Sequence, residues 1–155
     1  MKKYASEQRQ NLEERLQEFK ETCRERGLKI TPQRVAIYRE LISSGEHPSA
    51  IAVYQRVSHY FPSISLATVS NTLLTFGKIG LANVVEFSGD PKRFDPNLQL
   101  HHHFRCTECG KIVDFCSDSY DALEVPPDIK KRFLVFQKKV HLEGLCDTCA
   151  AKRAR

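Results

Sequence analysis

At 155 residues the chain can bury a hydrophobic core, and its 41% hydrophobic and 28% charged residues fit one or two small water-soluble modules, two being the working expectation. No apolar run is long enough for a bilayer span, and Met1-Lys2-Lys3-Tyr4 leads into a polar stretch rather than a cleavable apolar leader, which disfavours a membrane or secreted protein and points to the cytoplasm. The net charge of +5 divides into +3 for residues 1–97 (14 Lys+Arg against 11 Asp+Glu) and +2 for residues 98–155 (10 against 8), a surplus that permits nucleic-acid binding without arguing for it.

Leu12, Leu16, Phe19 and Cys23 recur at helical spacing among Glu, Arg, Lys and Gln, so residues 8–26 are expected to form an amphipathic helix that ends at Gly27. Cys23 lies on its apolar stripe, where a thiol is an inert core residue. Thr31-Pro32 is a helix-start signal for a second helix to about Ser44, with Val35, Tyr38, Leu41 and Ile42 facing inward. After the turn Gly45-Glu46-His47-Pro48, Ser49 caps a third helix that presents Val53, Tyr54 and Val57 to the core and stops at Phe61-Pro62. Ser65 caps a fourth, with Leu66, Val69, Leu73 and Phe76 inward and Thr68, Asn71, Thr72, Thr75 and Lys78 outward. Leu81–Phe87, the turn Ser88-Gly89-Asp90-Pro91, and Lys92–Asp95 read as a β-hairpin.

Helices followed by a hairpin make a winged helix-turn-helix with its wing at residues 82–95, and Pro96-Asn97 is the linker to a second module. The expected fold is therefore α+β: a winged-helix domain over residues 1–97, then a small α/β domain over residues 98–155. In the second module, residues 101–106 and 111–115 form strands around the knuckle Thr107-Glu108-Cys109-Gly110. Residues 117–132 read as a helix broken at Pro126-Pro127, and Phe133–Leu145 as further strand.

Cys106-x-x-Cys109 and Cys146-x-x-Cys149 form two knuckles separated by 36 residues. Four thiolates suit tetrahedral Zn2+ with no open coordination position, a structural site; redox thiols or disulfides are the competing reading. Bound zinc would add −2 to the second half and leave the basic balance with the first.

His101 and His103, two apart on a strand, project from one face with Cα atoms about 6.6 Å apart, and His102 points the other way. If the two strands pair symmetrically about the knuckle, Cys106 faces Lys111 and His103 faces Asp114, bringing a carboxylate to the same patch. That register also carries Cys116 towards His101, although a plain structural thiol is the simpler reading. His47 and Asp95 are further candidate ligands where the modules meet. Each taken alone is more simply a solvated residue, and the histidine strand is equally readable as a solvated strand.

The segments Ile30-Thr31-Pro32-Gln33-Arg34, His47-Pro48, Ser65-Leu66-Ala67-Thr68-Val69, Arg93-Phe94-Asp95, His101-x-His103-x-x-Cys106-x-x-Cys109-Gly110-Lys111-Ile112-Val113-Asp114-Phe115 and Cys146-x-x-Cys149 cover nearly the whole chain. In that order they resemble the Fur superfamily of metalloregulators, and within it the peroxide-responsive PerR branch. The resemblance implies a homodimeric, metal-dependent repressor that binds a palindromic double-stranded DNA operator. It implies structural Zn2+ on Cys106, Cys109, Cys146 and Cys149, and a regulatory Fe2+ or Mn2+ on His47, Asp95, His101, His103 and Asp114. The ligand histidines His47 and His101 are the implied sites of oxidation by peroxide, and Asp114, where iron-responsive members carry Glu, favours the peroxide branch.

The implied DNA contacts are Ser65, Ala67, Thr68, Ser70, Asn71, Lys78, Lys92 and Arg93; Thr68 and Asn71 suit base edges, and Lys92 and Arg93 suit phosphate. Three positions depart from the family pattern. Ser70 stands where Tyr is usual and Leu74 where Arg is common, which removes means of holding bases and phosphate. Lys138 replaces a histidine of a third metal site, which is therefore expected to be absent, and His141 is expected to be an ordinary surface residue. The competing functions are a sensor of iron, manganese or zinc supply and a small metalloenzyme. The chain offers no nucleophile or phosphate-cradling loop beside the His/Asp patch, so no enzymatic activity is expected.

Overall fold

Leu16, Phe19 and Cys23 fall on one stripe of the first helix, α1 (Leu12–Glu25), in the computed structural model, which describes residues 12–153. Residues 8–11 of the expected helix lie outside the described residues, and Leu12, at the described end of the stripe, is exposed. The helix stops where Gly27 takes φ 66° and the Leu28 N–H closes on the Cys23 carbonyl at 2.7 Å.

The next three helices start at hydroxyl caps, as their sequences predict. Thr31 accepts the Arg34 N–H ahead of α2 (Pro32–Ser43), Ser49 that of Ala52 ahead of α3 (Ala50–Val57), and Ser65 that of Thr68 ahead of α4 (Leu66–Ile79). Each such cap is worth roughly 1 kcal/mol. Their inner faces converge on one core, in which Phe19 stacks on Tyr38 with ring centroids 4.6 Å apart and meets Phe76 edge-on at 5.6 Å.

Two expected faces of α4 are corrected. Thr72, expected to point outward, is buried, because it completes the i, i+3, i+4, i+7 stripe Val69, Thr72, Leu73, Phe76. Leu66, expected inward, is exposed, because it opens the first turn beyond the edge of the core.

The hairpin pairs β1 (Asn83–Val85) with β2 (Arg93–Asp95) antiparallel, Val84 opposite Phe94. Its distance from α4 is set at Gly77, where an added Cβ would lie 2.7 Å from Cγ2 of Val84. On the outer edge of β2 the turn after α2 adds a short antiparallel stretch: Ser49 bridges Arg93, and the Phe94 N–H bonds to the Pro48 carbonyl at 3.0 Å. The first of two compact units closes here, the division falling between Leu98 and Gln99.

The second unit is a three-stranded sheet in the order β4-β3-β5. Strand β3 (His102–Cys106) pairs antiparallel with β4 (Ile112–Phe115), His103 opposite Asp114, the register expected from symmetry about the knuckle. Short helices α5 (Asp118–Asp121) and α6 (Pro127–Arg132) replace the single broken helix, α6 beginning at Pro127.

Strand β5 (His141–Gly144) pairs parallel with β3, and α7 (Asp147–Arg153) carries Cys149. The expectation of strand from Phe133 onward holds only for these four residues. Strand β3 begins at His102, so the residues before Val140 have no ladder partner among the described residues. No helix among the described residues is long and apolar enough to cross a membrane.

Candidate metal centres

The buried cluster of the second unit consists of Cys106, Cys146 and Cys149, with Phe104 and Leu145 packed against it. The Sγ atoms of these three cysteines and of Cys109 lie within 4.8 Å of one another. Cys109 and Cys146 stand 3.7 Å apart, far beyond a disulfide and close to the edge of about 3.8 Å of a tetrahedron with Zn–S bonds near 2.3 Å.

The turn N–H of Cys109 foremost, then that of Cys146, holds the Cys106 thiol down to about 6. The Cys149 thiol is pushed up to about 12, chiefly by its hydrogen bond with Cys146 and then by burial. A metal ion therefore meets one thiolate ready to bind and has to displace the proton of another.

A second set of donors surrounds the start of β3. His101 and His103 are fully buried, with their Nε2 atoms 2.9 Å apart. His101 Nδ1 donates to the Gln99 carbonyl at 2.7 Å, and a carbonyl only accepts, so the neutral ring carries its proton there and turns an Nε2 lone pair towards His103. Across the ladder, Asp114 Oδ1 stands 3.5 Å from His103 Nε2 and 3.9 Å from His101 Nε2. All three separations can be spanned by two bonds of about 2.1 Å to one ion, so the donors fit a metal.

The first unit holds a comparable pair. His47, in the turn after α2, and Asp95, at the end of β2, are both buried, with Nε2 and Oδ2 3.8 Å apart. The Asn97 N–H donates to Asp95 Oδ1 at 2.7 Å, which fixes the carboxylate and turns Oδ2 towards the imidazole. Arg93 Nη1 donates to the His47 carbonyl at 3.3 Å.

Beyond these centres, His102 is buried on the other face of β3, as its alternation predicts. Its Nδ1 accepts the Val140 N–H at 3.2 Å, and its Nε2 meets Asp121 Oδ1 at 3.1 Å, a pairing that sequence reasoning missed because nothing in the spacing connects α5 to that ring. Lys138 Nζ donates to the Leu123 carbonyl. His141, expected as an ordinary surface residue, is exposed, yet its ring centroid lies 5.5 Å from that of His103; their pairing across β3 and β5 puts it there. Burial, then the neighbouring His103, lowers its pKa. Cys116 is exposed, and its thiol faces the Leu100 carbonyl.

Of the residues expected at DNA, Ala67, Thr68, Asn71 and Lys78 lie exposed along α4, and Ser70 is half-buried. Ser65 is the cap, and its Oγ also meets the Thr68 hydroxyl at 2.9 Å. Lys92 forms an exposed ion pair with Glu86 across the hairpin at 2.7 Å.

The profile of the ferric uptake regulator family matches residues 25–143. The chain belongs to the ferric uptake regulator family. It is 38% identical over 143 residues to the peroxide-responsive repressor PerR of Staphylococcus aureus, spanning 92% of this chain and 97% of that protein. Among solved structures, the ferric uptake regulator Fur of Helicobacter pylori, described as having three functional metal-binding sites, superposes with a TM-score of 0.77 at 22% identity, covering 91% of this chain and 95% of that one. PerR of Streptococcus pyogenes, described for peroxide sensing and gene regulation, superposes with a TM-score of 0.50 at 31% identity, covering 86% and 92%. These likenesses place a Fur-family fold under both sets of donors.

Proposed function

We propose that this chain is a metal-dependent DNA-binding repressor that responds to peroxide. The carrying observation is the convergence of His101, His103 and Asp114 on one ion-sized space at the start of β3. In this reading Cys106, Cys109, Cys146 and Cys149 hold structural Zn2+, and one regulatory ion draws ligands from both units: His47 and Asp95 from the first, His101, His103 and Asp114 from the second. Three imidazoles and two carboxylates form a relatively hard donor set that suits Fe2+ or Mn2+. Shared ligands couple the orientation of the units to metal occupancy, so metal and DNA binding reinforce each other.

The first unit acts as a winged helix-turn-helix. Helix α4 enters the major groove with Thr68 and Asn71 at base edges, and the β1–β2 hairpin serves as the wing, with Lys92 near phosphate. Ser70 and Leu74 offer the DNA less than the Tyr and Arg usual in the family, so each half-site contributes less binding. The second unit dimerises, which a palindromic operator requires; the exposed Phe133, Leu134 and Phe136 supply apolar surface for a second copy.

Bound Fe2+ supplies a reaction with peroxide that oxidises a ligand imidazole, whereas bound Mn2+ supplies the clamp alone. His47 and His101 are the imidazoles that would take up one oxygen from peroxide, the other leaving as water, and an oxidised ring would be a poorer ligand and so weaken metal-dependent DNA binding. Asp114 and the 38% identity to a peroxide-responsive repressor support this branch.

The test is DNA binding with Mn2+ and with Fe2+, each before and after hydrogen peroxide, followed by peptide mass analysis. The Fe2+ form should lose DNA and gain one oxygen on a peptide holding His47 or His101, while the Mn2+ form keeps its DNA and gains no oxygen. Metal-dependent binding that peroxide leaves intact would assign the chain to sensing metal supply instead.

A further inference from the structure

Lys92 and Arg93 are neighbours at the end of the hairpin, yet they lie in different environments. Lys92 is exposed on the hairpin, whereas Arg93 is half-buried with its Nε enclosed. Arg93 and Asp95 are two apart on β2 and share one face, with Phe94 turned into the core between them. From that face the Arg93 guanidinium reaches the His47 carbonyl, and the His47 imidazole faces Asp95. The Ser49–Arg93 bridge and the bond from the Phe94 N–H to the Pro48 carbonyl bring the same turn alongside β2. One side chain thus joins the backbone of one proposed ligand to the strand that carries the other.

We infer that Arg93 is a positioning residue for the regulatory metal rather than a phosphate contact: it fixes the His47 turn against β2 so that His47 and Asp95 present their donors together. The inference rests on the proposed metal-dependent function and names a residue that tunes it. A partner that orients a ligand from behind is worth roughly 10- to 100-fold in metal affinity. A phosphate contact acts differently: it changes DNA affinity at every metal concentration and contributes about one unit to the salt slope.

The experiment uses the full zinc-loaded chain with Arg93→Met, which keeps an unbranched apolar stem and removes the donors, and Arg93→Lys, which restores a donor. Mn2+ affinity is measured by calorimetry, and DNA affinity at saturating Mn2+ over a series of salt concentrations. The expected result is Mn2+ binding about 10- to 100-fold weaker in Arg93→Met and largely recovered in Arg93→Lys, with DNA affinity and salt slope at saturation unchanged. Unchanged Mn2+ affinity in Arg93→Met, or a salt slope flatter by about one, would overturn the inference. If Arg93→Met does not fold, Arg93→Gln decides: it keeps a neutral N–H donor and loses the charge, so Mn2+ affinity largely retained with an unchanged salt slope at saturation supports positioning, and a salt slope flatter by about one overturns it. Failure of the unsubstituted chain to take up Mn2+ would overturn the proposed function together with this inference, an outcome separable from failure in the variants alone.

Discussion

The two units are held together by different physics. The first closes around Phe19, Tyr38 and Phe76, fully or almost fully buried aromatic rings from three helices, whereas the buried cluster of the second is three cysteines flanked by Phe104 and Leu145. Apolar burial at roughly 25 cal/mol per Å² lets the first unit stand on its own contacts. A sheet of three short strands and a few helical turns buries too little for that, so on the proposed assignment a metal on the four cysteines takes the place of a core. The contrast also divides the chemistry: the unit proposed to read DNA should be stable without an ion, and the unit contributing most of the proposed regulatory donors should not.

Removing zinc is the strongest way to break this contrast. Structural zinc sites contribute about 10–16 kcal/mol in apparent free energy, so stripping the metal under reducing conditions should unfold the second unit and leave the first folded. Amide hydrogen exchange should then show lost protection at β3 and β4 with protection retained in α2 and α4; an intact second unit would contradict the assignment. The reciprocal lesion is Phe19→Ala, expected to cost about 3–5 kcal/mol of stability in the first unit while zinc stoichiometry stays unchanged, measured by denaturant unfolding and metal analysis.

A smaller effect sharpens the chemistry of the clip. With the Cys149 thiol pushed up to about 12, zinc binding at neutral pH releases its proton, so affinity should fall at least tenfold for each unit that pH falls. Competition titrations against a chelator of known pH dependence measure that slope, and a flat profile would remove Cys149 from the ligand set.

Much of this organisation can be read from short-range pattern. The caps Thr31, Ser49 and Ser65 mark helix starts because each satisfies donors within three residues, and the pairing of His103 with Asp114 follows from alternation about a four-residue knuckle. Pattern failed where the deciding partner lies far along the chain or is missing from it. Thr72 has a polar side chain that predicts an outward position, but the core of the other helices meets its face of α4. Phe133–Lys139 has the composition of a strand and has no ladder partner among the described residues. The bond from Arg93 to the His47 carbonyl is equally invisible to local pattern because it spans 46 positions. The closeness of His141 to His103 depends on a parallel pairing that no local motif announces.

The most direct test of metal-dependent DNA recognition is selection of binding sequences from a randomised duplex pool by the zinc-loaded chain, with Mn2+ and with a chelator too weak to remove the zinc. A palindromic sequence should be enriched with Mn2+ only, and His103→Ala should abolish the enrichment while the zinc remains bound. Equal enrichment with Mn2+ and with chelator, or none in either, would contradict it.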